Sequence, residues 1–569
     1  MPETLGKDAR YEAGVVSRAS INSNDSIPAD APKLPDRYAD ESYKLFSEVS
    51  VSDPTPEEAI RIRNKLIWRI LPFLCIGYHL MFLDKQTLGS SAVLGILKDA
   101  NLSPNQYNWL SSIFYFGYML AEFPQNWALQ RFPVAKWLAG NLVIWGGITL
   151  LHIPCKNFAS LFVVRFLLGV FEACIVPSFL LIMSMFFTYQ EQAVLMPIMW
   201  SVGNGSPITS GLLSYGVLHI HTGHFAPWQW LMFLCGAVTM LFGVFVYLLL
   251  PDSPLYASFL TPEERAKAIL RIKENHSGIE QKRFKREQFV EALKDPKTWL
   301  FTGHALTQEM ANGTTNQYSL LINSFGFTVL QTTLLGAVLG AMNFTCLALA
   351  AIALYNTKNS RAWISLFAYI PTALSSVLLL SLPSHNRWGL ITGIWIRSAT
   401  GVPYAVVMIW AANASAGHTK KTTVIALYHA AYGLGNIISP QLFRPQWRPR
   451  YRPTWIILLI VAAIVPAIIV LILRIYLDRE NKRRDKMEQE NSVEDNGIIE
   501  TVKADGTTER QVVDRNQLDL TDRQNLKLQV TLPSRRTCFQ LTTMMQPLCF
   551  IRGTKFGDRF KFFLLQDFH

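Results

Sequence analysis

The sequence predicts an all-α membrane protein with twelve transmembrane helices in two six-helix halves. Of its 569 residues, 50 % are hydrophobic and 17 % are charged, against roughly 25 % charged in a soluble domain. Apolar runs of roughly 18–25 residues recur along most of the chain, each the length of a bilayer-crossing helix. A charged stretch divides these runs six and six. The same observations exclude a soluble enzyme, a secreted disulfide scaffold and a disordered regulator.

The elements follow in order. Residues 1–65 are rich in Ser, Asp, Pro and Glu and read as a disordered cytoplasmic tail, too long and too polar for a signal peptide. Residues 66–250 form the first half, with spans 1 to 6 expected at 70–92, 107–130, 136–154, 160–187, 195–219 and 229–250. A cytoplasmic loop, 251–297, follows. In its LTPEER segment Thr261 caps a helix, Pro262 takes the first turn and Glu264 closes a capping box. This amphipathic helix should run to His276, a second should cover 283–295 and stop at Pro296, and together they should brace the two halves. Residues 298–476 form the second half, with spans 7 to 12 at 298–323, 330–355, 361–382, 387–413, 421–443 and 454–476. The stretch 477–569 reads as a polar cytoplasmic tail.

Orientation comes from the basic residues of the loops. Arg131 and Lys136 lie between spans 2 and 3, Lys358 and Arg361 between 8 and 9, and Lys420 and Lys421 between 10 and 11. The central loop adds Arg265, Lys267, Arg271, Lys273, Lys282, Arg283, Lys285 and Arg286. All fall on the side of both tails, which is therefore the cytoplasm. The net charge of +12 is thus a topology signal, with no nucleic-acid partner. One stretch breaks the rule: RPQWRPRYR, 444–452, puts four Arg on the outside. We expect it to pack on protein.

Ionisable groups inside hydrocarbon cost several kcal/mol unless paired or wet, so each marks a candidate functional residue. Span 1 ends in FLDKQTLG, with Asp84 and Lys85 adjacent. Span 4 contains RFLLGVFEA, with Arg165 and Glu172 seven residues apart and so on one helix face. A carboxylate beside a base can switch its proton when a ligand arrives. Glu122 lies late in span 2. Arg397 is alone in an apolar run of span 10 and suits an anionic ligand or a half-to-half salt bridge. Glu309 precedes NGTTNQY in span 7, where Asn312, Gly313 and Asn316 read as a broken helix lining a cavity. His429, Tyr432 and Asn436 of span 11 could face the same space.

Other residues read as structural. GNGSPITSG, 203–211, allows close helix approach in span 5. His219, His221 and His224 lack acidic or Cys partners, so no metal is expected there. The seven Cys include no CxxC pair and read as apolar fillers. No metal-ligand motif, nucleophile elbow or phosphate loop is found, so neither an enzyme nor a cofactor is expected.

Taken together, FLDKQTLG (82–89), YNWLSSIFYFGYMLAEFP (107–124), QRFPVAKW (130–137), RFLLGVFEA (165–173), LPDSPLYASFLTPEER (250–265), NGTTNQYSLLINSFGF (312–327) and AGHTKKTTVIALYHAAYGLGNIISPQLF (416–443) resemble the major facilitator superfamily. Within it they are similar to the anion:cation symporters and, more closely, to the fungal allantoate permease family. The likeness covers residues 60–476. The superfamily's G-x-x-x-D-R-x-G-R-[RK] loop is altered: Asn126, Gln130 and Pro133 replace its Gly, Asp and Gly, while Arg131 and Lys136 keep the basic character. The tail departs from the family after LDLTDRQNLKL (518–528), and 529–569 reads as a gene-model artefact such as a read-through intron.

The resemblance implies a major facilitator fold and a monomeric plasma-membrane transporter, both termini cytoplasmic, that couples protons to uptake of a small anionic or zwitterionic nutrient. Allantoate, ureidosuccinate, a dipeptide or a vitamin acid are the candidates. By the same resemblance Asp84 and Glu172 carry protons, and Lys85 and Arg165 meet the substrate, with Asn312, Asn316 and Arg397 closing from the other half. Arg131, Lys136 and Glu122 fall to gating. Lys85 presents a point charge where a planar Arg fork is the alternative. Two other readings stand beside this one: an exporter of a fungal secondary metabolite, and a non-transporting nutrient sensor.

Overall fold

The structure is a computed structural model and describes residues 54–220, 223, 225–272, 285–357, 360–491, 496–502, 508–514 and 521. Twelve helical segments follow one another across it, six on each side of the central loop. Span 1 is Pro56–Leu94. Its first turns lie within the stretch expected to be polar tail. Thr55 Oγ1 accepts the Glu58 N–H at 3.3 Å, and Glu58 Oε2 accepts the Thr55 N–H at 3.0 Å. Pro56 fills the first helical position, where a missing N–H costs nothing. Residues 56–65 are therefore helix despite their polarity; residues 1–53 lie outside the described residues.

Spans 2 and 3 are Pro104–Leu129 and Val134–Leu150. Span 4 is broken into Phe158–Glu172 and Ile175–Phe186, span 5 into Tyr189–Asn204 and Ser206–Val217, and span 6 is Pro227–Leu249. Span 7 comprises Pro296–Glu309, a 3-10 turn Met310–Asn312, then Gly313–Asn316 and Tyr318–Ser324. Spans 8 and 9 are Val329–Asn356 and Arg361–Ser381. Span 10 is Arg387–Ile396, a 3-10 turn Arg397–Thr400, and Gly401–Asn413; span 11 is His418–Ile438. Span 12 runs Arg452–Leu459, Ile460–Ile464 as a π-helical turn, and Val465–Asn491, well beyond residue 476. A short antiparallel hairpin follows, β1 (Asn496–Val502) paired with β2 (Thr508–Asp514) in register Asn496 to Asp514. The expected artefact, 529–569, and the segment before it, 522–528, lie outside the described residues.

Among the described residues, seven helices are long and apolar enough to cross a membrane by length and composition alone: spans 1, 4, 6, 8, 9, 10 and 12. The others fall short for a physical reason. Span 3 has only 17 helical residues. Spans 2, 7 and 11 carry amides and hydroxyls that protein partners satisfy, which a helix surrounded by lipid could not afford. Spans 2 and 4 approach so closely that glycine is required on both. A Cβ on Gly169 would lie 2.0 Å from the Phe114 carbonyl oxygen, and one on Gly117 2.2 Å from that of Phe166.

The helices of the central loop are Pro262–Ile272 and Arg286–Lys294, and the capping box forms as anticipated, with the Glu264 N–H on Thr261 Oγ1 at 3.3 Å. The continuation to His276 and the start at 283 lie outside the described residues. Among the described residues, the ion pairs of the first helix go to the first half: Lys65 Nζ to Glu264 Oε1 at 2.6 Å, Lys267 Nζ to Glu58 Oε1 at 2.7 Å, and Arg271 Nη2 to Glu191 Oε2 at 3.3 Å. The second is fastened to the second half, where buried Lys420 reaches both Glu291 and Asp295 at 2.8 Å. Among the described residues, each helix thus forms ion pairs with its own half.

Of the 444–452 arginines, Arg450 packs on the rest of the protein, while Arg444, Arg448 and Arg452 are exposed and the contacts of Arg444 and Arg448 stay within the stretch. Arg448 Nε donates to the Tyr451 hydroxyl at 2.8 Å, Arg450 donates to the Leu382 carbonyl, and the Arg444 guanidinium lies over the Trp447 ring at 5.4 Å.

Candidate functional site

A cavity of about 290 Å³ lies between the halves, lined by spans 1, 2, 4 and 5 of the first and 7, 8, 10 and 11 of the second. Its polar wall is made where helices break. Span 7 stops at Glu309 and restarts at Gly313. Gly313 is needed because a Cβ there would lie 2.5 Å from the Ser439 carbonyl oxygen. Ser439 Oγ in turn donates to the freed Met310 carbonyl at 2.9 Å. The Tyr107 hydroxyl does the same for Asn316 O at 3.0 Å, and Gln308 Nε2 for Thr400 O at 2.5 Å in the break of span 10. Backbone groups released inside a membrane must find such partners.

Of the four charges of spans 1 and 4, Lys85 and Glu172 form an ion pair across the helices, and Asp84 and Arg165 do not. Lys85 Nζ lies 3.0 Å from Glu172 Oε1, and Glu172 is fully buried. Three rings surround the ammonium: Phe82 at 5.3 Å, with Phe114 and Tyr118 at 5.9 Å. No ion pair within 4.0 Å joins Asp84 and Arg165. Thr149 donates to Asp84 Oδ1 at 3.4 Å. Asp84 Oδ2 and the Arg165 Nε and Nη2 are buried without a hydrogen-bond partner. Of the four, only Lys85 lines the cavity; Asp84, Arg165 and Glu172 stand behind it.

The second half supplies Glu309, Asn312, Asn316 and Arg397, all in the cavity wall. Asn436 Nδ2 donates to Glu309 Oε2 at 3.0 Å, and Asn312 Nδ2 donates to Asn436 Oδ1 at 2.5 Å. Arg397 spends one N–H on Ser376 Oγ at 3.1 Å; its Nε and Nη2 are buried and unpartnered. Asn316 Nδ2 is likewise unpartnered. His429 and Tyr432 line the cavity, and Tyr432 lies 6.3 Å from Tyr115 across the halves.

The residues assigned to gating are not brought together. Arg131 stacks on Trp127 at 4.3 Å. Lys136 pairs with Asp252 at 3.7 Å, and Asp252 also accepts the Ala135 and Lys136 N–H groups that open span 3. Glu122 is half-buried, with neither an ion pair nor a hydrogen bond among the described residues. His219 bonds the Tyr215 carbonyl at 3.0 Å, while His221 and His224 lie outside the described residues. Sequence reasoning missed the chain His304–Tyr369–Gln308, with links of 2.8 and 2.5 Å. Gln308 beside the predicted break was its only signal.

The cavity is closed at the end away from the central loop. There Gln317 Nε2 donates to Asn108 Oδ1 at 2.6 Å and Asn108 Nδ2 to Phe443 O at 3.0 Å. Ser112 donates to Ile437 O at 2.7 Å and accepts from Gln441 at 2.9 Å. A Cβ on Gly211 would meet the Thr333 carbonyl at 2.5 Å, so spans 5 and 8 also touch there.

Residues 74–440 match the Major Facilitator Superfamily. The chain is 36 % identical to an uncharacterised transporter of Schizosaccharomyces pombe, over 88 % of this chain and 89 % of the relative. It is 33 % identical to the high affinity cysteine transporter of Saccharomyces cerevisiae, over 75 % and 80 %. It is 30 % identical to the allantoate permease of the same yeast, over 79 % and 85 %. Among solved structures it is similar to a D-xylose-proton symporter, with a TM-score of 0.56 at 12 % identity, covering 71 % of this chain and 97 % of that one.

Proposed function

This chain belongs to the Major Facilitator Superfamily, and we propose that it is a proton-coupled importer of a small carboxylate-bearing nutrient. It is a multi-pass membrane transporter and not an enzyme; the proton, the direction and the substrate class are the proposal. The observation that carries it is the Lys85–Glu172 pair at 3.0 Å, with Lys85 in the cavity wall and Glu172 wholly behind it. A substrate carboxylate that reaches Lys85 competes with Glu172 for the same cation. Glu172 is then left buried without its partner, and taking up a proton is the cheapest way to remove that charge. Asp84 is the second acid able to respond. Arg165 acts through Asp84, since it does not line the cavity.

The halves then rock about this site, so that the seal around Asn108 opens as the other end closes. The Lys and Arg of the short loops support a cytoplasmic central loop and cytoplasmic tails. The sealed end therefore faces outward, in the plasma membrane, with the cavity of a monomer turned to the cytoplasm. The relatives' cysteine and allantoate both carry a carboxylate, in keeping with a cationic wall. The test is uptake by a transport-deficient strain expressing this chain, over a panel of organic acids and amino acids at two pH values. Faster accumulation of a carboxylate solute at acidic pH is expected. Uptake indifferent to pH would remove the proton, efflux in place of uptake would reverse the direction, and no flux at all would leave a sensor.

A further inference from the structure

We infer that Glu309 and Arg397 form a clamp for an amino-acid zwitterion, Glu309 taking the substrate's ammonium and Arg397 its carboxylate. This rests on the reading of the cavity as a substrate site and narrows the substrate from a carboxylate to a molecule that also carries a positive nitrogen. The charged groups in the cavity wall are Lys85, Glu309 and Arg397, with His429 the other titratable ring. Lys85 is answered by Glu172 at 3.0 Å in the resting site; the carboxylate that Arg397 holds is the one that then draws Lys85 from Glu172. Among the described residues, Arg397 has no acid in contact: its hydrogen bond is to Ser376, and two of its nitrogens are buried without a partner. Glu309 has no cation in contact: Asn436 donates to Oε2, and Lys85 is the charged group acting on it from across the cavity. The wall therefore holds one unanswered cation and one unanswered anion. A simple anion would answer only Arg397; a zwitterion answers both.

Both charges stand at helix breaks of the second half. Glu309 ends the first helix of span 7, and Arg397 opens the 3-10 turn of span 10. Gln308, next to Glu309, donates to the Thr400 carbonyl that closes that same turn, at 2.5 Å. The two helix breaks are thus tied to each other by a hydrogen bond. The volume of about 290 Å³ is at the small end for ligand pockets, roughly 300–1,000 Å³, and suits an amino acid. Arg supplies a forked donor to a carboxylate, while a carboxylate suits a compact ammonium.

The experiment uses the full-length chain in proteoliposomes with an inward proton gradient. The probes are alanine, cysteine and asparagine, each paired with its N-acetyl derivative, which keeps the carboxylate and loses the ammonium. At least one free amino acid should accumulate, with its N-acetyl partner about tenfold poorer in apparent affinity. Glu309→Gln should raise the KM for the free amino acid about tenfold, leave the N-acetyl form unchanged and so erase the preference. Glu309→Asp, which keeps the carboxylate, should restore it, and separates recognition from misfolding. Equal handling of free and acetylated forms by the unaltered chain overturns the clamp. So does loss of accumulation of both forms in Glu309→Gln with exchange intact, which would make Glu309 a proton carrier. pH-driven uptake of other organic anions, with no free amino acid transported, overturns the clamp and spares the proposed function. Absence of any pH-driven uptake overturns both.

Discussion

Lys85 Nζ lies 3.0 Å from Glu172 Oε1, joining a residue of the cavity wall to one with no exposure at all. Breaking a buried pair by removing one charge leaves the other unpaired, at roughly 3–5 kcal/mol. Glu172→Gln leaves only Lys85, which stays wet enough, at 16 % side-chain exposure, for the protein to fold. Proton-driven accumulation should then disappear while substrate exchange between the two sides persists. Measuring both in the same vesicles decides the matter, and continued uphill uptake by Glu172→Gln would remove this residue from coupling.

The pairing of Lys85 with Glu172 was only half legible in sequence. Seven-residue spacing put Arg165 and Glu172 on one helix face, and adjacency put Asp84 beside Lys85. Neither spacing says that Lys85 answers Glu172, because that depends on how span 1 is rotated against span 4. The twelve spans were legible because the period and length of apolar runs are set locally. The start of span 1 at Pro56 was not, because its polar first turns are held by the Thr55–Glu58 capping box and by Lys267 of the loop. The break in span 7 was legible from its Asn and Gly residues. Its partners were not: Asn436, Ser439 and Tyr107 come from other spans.

The approach of spans 2 and 4 makes a sharp packing prediction. Gly169→Ala would put a methyl 2.0 Å from a backbone oxygen, so the helices must separate. Overpacking of this kind costs about 1–3 kcal/mol. Gly140→Ala is the control, since nothing lies within 4 Å of its Cβ position, and in a helix that change is neutral or favourable by about 0.5–1 kcal/mol. Thermal denaturation of the purified protein in detergent should show Gly169→Ala melting several degrees lower and Gly140→Ala unchanged or higher. Equal melting would show that the interface yields.

The clasp of the first loop helix should respond to acid. Lys267 donates to Glu58 Oε1 at 2.7 Å. Burial pushes the Glu264 carboxyl up, but the bonds from Lys65 and from the Thr261 N–H outweigh it and leave it lowered. Depressed carboxylates lend stability above their ordinary pKa of about 4.3, and the contribution is lost as pH falls through the lower folded values. The clasp should therefore hold at neutral pH and release below about pH 4. At neutral pH, Lys65→Ala with Lys267→Ala should mimic that release. Limited proteolysis reads both, as faster cleavage within the loop; an unchanged rate would mean that Arg271 and its bonds to Glu191 and Phe186 hold the helix alone.

Asn108 is the keystone of the sealed end, because its one amide joins span 2 to both span 7 and the turn after span 11. It is 2 % exposed, and no water can replace the contacts while the halves stay closed. Asn108→Ala removes both bonds and leaves Gln317 Nε2 and the Phe443 carbonyl without them, a cost of about 1–3 kcal/mol per group. The open state has no such cost, since there both groups meet water. The substitution should therefore shift the resting population toward opening at this end by about tenfold or more. A cysteine placed at Thr314, in the cavity wall and 4 % exposed, reports on it. A membrane-impermeant thiol reagent added outside intact cells should label that cysteine several-fold faster in the Asn108→Ala background than in the parent. Equal labelling in both would place the barrier elsewhere, at Ser112 with Gln441 or at the Gly211 contact with span 8.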